Sequence, residues 1–201
     1  KHGRRVENVP EISMIDRNFV INMAQESSDI NEYLMSLYNV PVQMNAKTIV
    51  EIGAGRSTFA LVAAANKIGG HVYSIDIGGW DTLNRQVNGV EIMQQEPNFT
   101  MIANNSLNEA DNWHTDIDFL FWDSEHTYDL SVREIDAWFP FVKSGGIIMA
   151  HDMCHESEDK QGARKALDKF LRTQAGKDYK AIFLNDTKII GMGVIWKMIY
   201  E

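Results

Sequence analysis

Cysteine, long apolar runs and positive charge are all scarce in this sequence of 201 residues. Cys154 is its single cysteine, so no intrachain disulfide can form, and we expect a reducing compartment, the cytoplasm. No apolar run approaches the roughly 18 residues that a membrane-spanning helix needs, so no membrane partner is expected. The 19 basic residues face 28 acidic ones, giving a net charge of −9 that disfavours nucleic acid as a partner.

The remaining composition is that of a globular domain, with 44% hydrophobic and 23% charged residues. We interpret residues 1–44 as an N-terminal arm with one helix and residues 45–201 as the main domain. Residue 1 is Lys rather than Met, which leaves a removed leader open. The sequence also leaves open whether the chain forms a homo-oligomer.

Short apolar runs alternate with helical patterns from about residue 48 onward. This alternation predicts an α/β fold with a Rossmann-like, doubly wound sheet, mostly parallel, and helices on both faces. The last two strands are too close in sequence for a crossover helix, so we expect an antiparallel edge. The predicted strands cover 48–52, 71–75, 99–103, 117–122, 147–150, 180–184 and about 190–199. The predicted helices cover about 28–38, 57–67, 81–95, 130–142 and 160–174.

A glycine-containing turn joins the first predicted strand to the helix after it. Gly53 and Gly55 allow a tight turn and a close approach of a ligand to the backbone, while the helix start offers free N–H groups. Asp76 ends the next strand, where an acid accepts hydrogen bonds from both hydroxyls of a ribose. The pattern predicts a nucleoside-cofactor site; the alternative is an ordinary strand–helix turn with Asp76 as a cap. The predicted cofactor contacts are Glu51, Gly53, Ala54, Gly55, Ser57 and Asp76.

Two details favour S-adenosylmethionine (SAM) over NAD as that cofactor. Thr58 stands where the dinucleotide fingerprint has its third glycine. Glu51 directly precedes the turn, where a carboxylate attracts the cationic groups of SAM and repels a pyrophosphate.

A second group of reactive side chains follows two later strands. Asp123 ends the strand over 117–122, His126 lies three residues further on, and His151 and Asp152 end the strand over 147–150. Ligands of open α/β sheets bind at the carboxyl ends of the strands, so these residues are expected to converge. Carboxylates suit Mg²⁺ and imidazole suits softer divalent metals, and a histidine serves well as a general base. The alternative is that Asp123 caps a helix and the histidines only bond the backbone.

Both motifs together resemble class I SAM-dependent methyltransferases. The likeness covers Glu51-Ile-Gly-Ala-Gly55, Asp76, the segments 118–129 and 143–152, and the ending Gly191-Met-Gly-Val-Ile-Trp-Lys197. It is strongest to the macrocin-type and cephalosporin-hydroxylase-type O-methyltransferases. The resemblance implies Asp123, His151 and Asp152 as metal ligands and His126 as base, with Asp123 and Ser106 beside the cofactor. Those relatives usually carry an acid where His151 stands.

From these observations we predict a SAM-dependent O-methyltransferase. Its acceptor is expected to be a hydroxyl of a small molecule, a sugar or another natural product, with Mg²⁺ or another divalent metal assisting. An NAD(P)-dependent oxidoreductase and a non-catalytic SAM-binding module are the alternatives. The absence of a Tyr-x-x-x-Lys pair weighs against the oxidoreductase, and the presence of Asp123 with His126 weighs against the non-catalytic module.

Overall fold

The computed structural model describes residues 14–86, 90–154, 161–184 and 191–199. In these residues a seven-stranded sheet has the order β3-β2-β1-β4-β5-β7-β6. The strands are β1 Thr48–Ile52, β2 His71–Asp76, β3 Phe99–Ala103, β4 Ile117–Trp122, β5 Val142–Ala150, β6 Tyr179–Leu184 and β7 Met192–Lys197. The first five run parallel, and β7 is antiparallel to both β5 and β6. The Rossmann-like sheet with its antiparallel carboxyl-terminal edge, predicted from the sequence, is therefore confirmed.

Helices cover both faces of the sheet. They are α1 Arg17–Ala24, α2 Asn31–Met44, α3 Arg56–Ile68, α4 Trp80–Gln86, α5 Val90–Met93, α6 Ser106–Ala110, α7 Tyr128–Trp138 and α8 Gly162–Phe170. Within the described ranges, two short 3₁₀ helices span Phe139–Phe141 and Ala175–Asp178. None of the described helices has the length and hydropathy needed to cross a bilayer.

The central strand β4 packs against the helices on both faces of the sheet. All six of its residues are buried. Phe119 and Phe121 belong to the hydrophobic cluster that contains α1, α2 and α3, whereas Leu120 and Trp122 belong to the cluster with α7 and α8. Because side chains alternate along a strand and every residue of β4 except Asp118 is apolar, β4 is buried on both faces, as the sequence predicts.

Several element boundaries differ from the prediction, three of them near a proline or glycine. Helix α2 continues to Met44 with Pro41 inside it, and α7 ends at Trp138 because Pro140 cannot continue a helix. The glycines predicted to stop that helix, Gly145 and Gly146, lie inside β5, which begins at Val142. Gly145 has φ of 79°, and the register between β4 and β5 shifts there, so the glycines form a strand irregularity.

Residues 17–44, predicted as part of an arm, pack into the same core as the main domain. Val20, Leu34 and Leu37 are fully buried in the cluster that also contains Ile49 and Phe59. The first 13 residues of the predicted arm lie outside the described residues. The predicted helix over 81–95 divides into α4 and α5, with 87–89 also outside them.

Candidate active site at the switch point of the sheet

A cavity of about 340 Å³ opens at the carboxyl ends of the parallel strands. It lies where the strand order reverses, between β1 and β4, which is the usual ligand site in open α/β sheets. Its walls come from the turn after β1, the ends of β2, β4 and β5, and the segment before α2. The lining residues are 28–30, 53–57, 76, 82, 123–126 and 151–152.

Gly53 lets the turn after β1 pack directly on the end of β4. Its φ is 92°, and a Cβ at this position would lie 2.1 Å from the carbonyl oxygen of Asp123. Its N–H donates to the Ile75 carbonyl at 2.9 Å, while the Asp123 N–H donates to the Ile52 carbonyl at 3.0 Å. A glycine is therefore required here, and the turn brings the ends of β1, β2 and β4 together.

Glu51 lies beneath this turn and does not line the cavity, although direct cofactor contact was predicted. Its side chain is fully buried. Its carboxylate accepts hydrogen bonds from the hydroxyls of Ser57 at 2.5 Å, Thr58 at 2.7 Å and Ser74 at 2.6 Å. Burial raises the pKa of Glu51 to about 7 despite these three donors. The geometry is that of a residue supporting the turn.

Thr58 extends that support to the backbone of the turn. Its hydroxyl accepts the N–H of Gly55 at 3.0 Å while donating to Glu51. The first turn of α3 and the glycine turn thus share one hydrogen-bond network based on a buried carboxylate. Such a network holds the N–H groups at the start of the helix in place for a ligand.

Asp76 lines the cavity at the end of β2, as predicted. Its Oδ1 accepts the N–H of Gly78 at 2.7 Å and of Gly79 at 3.1 Å, and the hydroxyl of Thr82 at 2.7 Å. Its Oδ2 accepts the N–H of Ala54 at 3.2 Å. The carboxylate is therefore fixed beside the glycine turn by groups from both loops.

Two carboxylates and two imidazoles meet at the ends of β4 and β5. The Nε2 of His126 pairs with the Oδ2 of Asp152 and lies 3.7 Å from the Oδ1 of Asp123. The Nδ1 of His151 lies 3.3 Å from the Oδ1 of Asp123 and 3.6 Å from the Oδ1 of Asp152. All four side chains predicted for the acceptor side lie together. Asp152 has φ of 56°, a strained value for a non-glycine residue.

The two carboxylates determine the protonation of both imidazoles. Burial lowers the pKa of His126, but its hydrogen bond with Asp152 and the charges of Asp152 and Asp123 outweigh burial, so the net shift is upward. The pKa of His151 is raised in the same way, mainly by Asp123 against the effect of burial. Each histidine therefore holds a proton more firmly than a free imidazole does.

The cluster has the donor set of a divalent metal site. One ligand atom each from Asp123, His126 and Asp152 lie within 4.8 Å of one another. Two carboxylates with one imidazole suit Mn²⁺, Fe²⁺ or Zn²⁺ as well as Mg²⁺. This set contains His126, whereas the predicted set contains His151, whose Nδ1 faces the same carboxylates.

Glu134, on α7, was missed by the sequence analysis. It is buried, and its carboxylate accepts from Ser106 Oγ at 2.5 Å, Trp122 Nε1 at 2.8 Å and the hydroxyl of Ser124, the residue after Asp123. The sequence signal for Glu134 is an acid on the apolar face of a predicted helix, the face that also carries Ile135 and Trp138. Ser106, predicted beside the cofactor, does not line the cavity; its hydroxyl is bound to Glu134.

The segment before α2 forms the remaining wall, with Ser28, Asp29 and Ile30. Arg56, in the glycine turn, joins this segment to the site: its guanidinium donates to Asn31 Oδ1 at 2.9 Å and to Glu26 Oε2 at 2.6 Å. The wall and the turn are thereby connected.

Comparison with known proteins identifies the same fold and places the site within a known family. The model of a methyltransferase-domain family matches residues 50–153. An O-methyltransferase from Bacillus cereus, solved with S-adenosylhomocysteine (SAH), is 15% identical with a TM-score of 0.64, covering 95% of this chain and 93% of that one.

Two further structures share the fold. The O-methyltransferase TomG from Streptomyces achromogenes, solved with SAM, is 12% identical with a TM-score of 0.62, covering 92% of this chain and 87% of that one. An rRNA methylase from Streptococcus thermophilus is 13% identical with a TM-score of 0.57, covering 86% and 98%. The family match spans more than half of the chain, including the glycine turn and the acid–imidazole cluster, and the chain belongs to this family of methyltransferase domains.

Proposed function

We propose that this protein transfers a methyl group from SAM to a hydroxyl of a small molecule, a sugar or another natural product. The observation that carries the proposal is that a glycine turn with Asp76 and an acid–imidazole cluster line one cavity. The first group suits a nucleoside donor and the second suits activation of an oxygen acceptor. O-methyltransferases among the proteins of the same fold add support.

On the donor side, Asp76 accepts the ribose hydroxyls of SAM, and the turn over 53–57 contacts the rest of the cofactor through Gly53, Ala54, Gly55 and Ser57. Asp76 is suited to this because its carboxylate is already held in place by Ala54, Gly78 and Thr82. Glu51 acts one layer below, by fixing Ser57 and Thr58. Ser106 takes no direct part in our proposal, since Glu134 holds its hydroxyl.

On the acceptor side, His126 takes the proton of the acceptor hydroxyl. The oxygen forms a bond to the methyl carbon as the carbon–sulfur bond breaks, and that electron pair stays on sulfur, leaving SAH. The protein mainly aligns donor and acceptor and removes one proton. Asp152 supports this role because it pairs with the His126 Nε2 and stabilises the imidazolium that forms.

A divalent metal fits the same cluster, held by Asp123 and Asp152 with His151 or His126. Such an ion lowers the pKa of a bound hydroxyl and orients it. A neutral imidazole has only one ring nitrogen with a free lone pair, so His126 cannot serve as metal ligand and proton acceptor at once. With His151 as the ligand, His126 stays free as the base.

Calorimetric titration with SAH and with NADH tests the donor assignment directly. We expect binding of SAH without binding of NADH, and loss of SAH affinity by at least about tenfold in Asp76→Ala, since hydrogen bonds to a charged group contribute about 1.5–3 kcal/mol. Asp81→Asn, an exposed acid just beyond the cavity lining, is the matched control. Binding of NADH instead of SAH would identify an oxidoreductase.

A methyl-transfer assay over a panel of hydroxylated compounds tests the reaction. Transfer to oxygen that disappears in His126→Ala supports the proposal. Binding of SAH with no transfer to any member, with or without added Mg²⁺, would favour the non-catalytic module. Residues 45–201 as the methyltransferase domain, a cytoplasmic location and a homo-oligomer stay predictions.

A further inference from the structure

The mouth of the cavity carries negative charge that the donor site does not use. Asp29, just before α2, and Glu125, in the loop after β4, both line the cavity and are both exposed. Asp29 uses Oδ1 to accept from the Ile30 N–H at 2.9 Å and from Ser28 Oγ at 3.1 Å. Among the described residues neither carboxylate has an ion-pair partner within 4 Å.

The other charged groups of the cavity are already engaged. Asp123 and Asp152 face the two imidazoles, and Asp76 is occupied by backbone N–H groups and Thr82. Arg56, the cation of this wall, pairs with Glu26 at 2.6 Å. The cavity therefore offers no unengaged cation to an anionic ligand among its described lining residues, but two of its carboxylates, those of Asp29 and Glu125, have no ion-pair partner within 4 Å.

We propose that the methyl acceptor carries a basic amine, held by Asp29 and Glu125, next to the hydroxyl that receives the methyl group. This inference rests on the proposed function. A cleft lined by charges of one sign concentrates ligands of the opposite sign and rejects like charge. An amino sugar or another amino alcohol meets this requirement, whereas a phosphorylated or carboxylated acceptor does not.

His151 supplies an independent indication that the cavity takes a polar ligand. It lines the same cavity and is only 3% exposed, and its Nε2 has no hydrogen-bond partner in the described part of the chain. A buried polar atom without a partner is costly, and a ligand hydroxyl would remove that cost. His151 thus has an unfilled hydrogen bond in the wall of the same cavity that Asp29 and Glu125 line.

Matched ligands that differ only in charge provide the test. The protein, saturated with SAH and Mg²⁺, is titrated with dopamine, ethylcatechol and dihydroxyphenylacetate, and separately with glucosamine, glucose and glucuronate. In at least one set we expect the amine to bind about tenfold or more tightly than the neutral member, and the carboxylate to bind weakest. The preference should shrink as salt rises, because the two carboxylates are exposed.

Two variants assign that preference to the proposed residues. Asp29→Asn and Glu125→Gln should each reduce the amine preference several-fold without changing affinity for SAH. Asp111→Asn, an exposed acid outside the cavity, should leave both unchanged. A fall in SAH affinity with the amine preference retained would mean that these acids hold the donor, and would overturn the proposal.

The remaining outcomes are also decisive. Equal binding of all members of both sets, tighter binding of a carboxylate, or binding of none of them would overturn the amine proposal while leaving the SAM assignment intact. Failure of SAH itself to bind would instead overturn the proposed function.

Discussion

Glu51 lies below the glycine turn of the candidate site and is enclosed by hydroxyl groups of the protein itself. The sequence places an acid before the glycine turn, and charge alone favours contact with a cation. The structure surrounds that acid with three hydroxyls and removes it from solvent. We therefore expect a substitution of Glu51 to change the folding stability of the protein more directly than its ligand binding.

We predict that Glu51 makes folding stability fall as pH rises from 4.5 to 7. The folded pKa, about 7, lies above the ordinary 4.5, so between these values the folded protein keeps a proton that the unfolded chain has released. Stability from this group is complete below pH 4.5 and lost as pH rises through 7, by on the order of 3 kcal/mol. Glu51→Gln cannot titrate and should lack this component.

Urea unfolding at several pH values gives the free energy of unfolding of the parent and of Glu51→Gln. The difference between the two proteins isolates the effect of Glu51, because all other titrating groups are the same in both. Glu91→Gln, at an exposed position of α5, serves as the control for loss of one carboxylate. Parallel pH profiles for the parent and Glu51→Gln would contradict the prediction.

The two histidines of the cluster lead to a prediction about metal binding. With Asp123, His151 and Asp152 as the metal ligands and His126 as the base, His151→Ala should weaken Mn²⁺ binding by at least about tenfold, more than His126→Ala does, because removing even a supporting partner of a ligand costs about 10–100-fold. Electron paramagnetic resonance of bound Mn²⁺ measures both. A larger loss in His126→Ala would instead support Asp123, His126 and Asp152 as the ligands and would contradict His126 as the base.

Among the elements, the turn between β1 and α3 has little freedom to change. Gly53 combines a positive φ with contact to the backbone of Asp123, and backbone cannot move aside as a side chain can. Gly69, at the end of α3, also has a positive φ, 62°, but a Cβ there meets nothing within 4 Å. A comparison of substitutions at Gly53 and Gly69 therefore separates the cost of a left-handed backbone from the cost of steric overlap.

We predict that Gly69→Ala costs about 1 kcal/mol of unfolding free energy, the strain of a left-handed residue alone. Gly53→Ala should cost roughly 3 kcal/mol or more, and should abolish SAH binding at temperatures where it stays folded, because the turn must separate from the end of β4. Chemical unfolding and calorimetry give the two quantities. Equal effects of the two substitutions on stability would show that the overlap at Gly53 is relieved without consequence.

For the whole molecule, periodicity was sufficient to predict the sheet and the convergence of the site. A strand that is apolar on both faces, such as β4 with Asp118 as its single polar residue, must be buried on both, and acids that end neighbouring strands must meet. What could not be predicted depends on tertiary partners. The role of Glu134 depends on its hydrogen bonds with Ser106, Trp122 and Ser124, which come from other elements of the fold. The pair Gly145 and Gly146 is typical of a helix end, and only the register between β4 and β5 shows that it lies inside a strand.

We predict that the amino-terminal helices are coupled to the candidate site. Residues 28–30 line the cavity, and Arg56 binds Asn31 and Glu26, so a ligand on the glycine turn should also order the segment before α2. Hydrogen exchange with and without SAH should show protection in residues 25–31 as well as 53–58.

Saturation at 100 times Kd adds about 2.7 kcal/mol of global stability, which slows only amides that exchange through global unfolding. At short labelling times β6, at the far edge of the sheet, should therefore be unchanged. Protection confined to 53–58 would show that Arg56 does not couple the two segments.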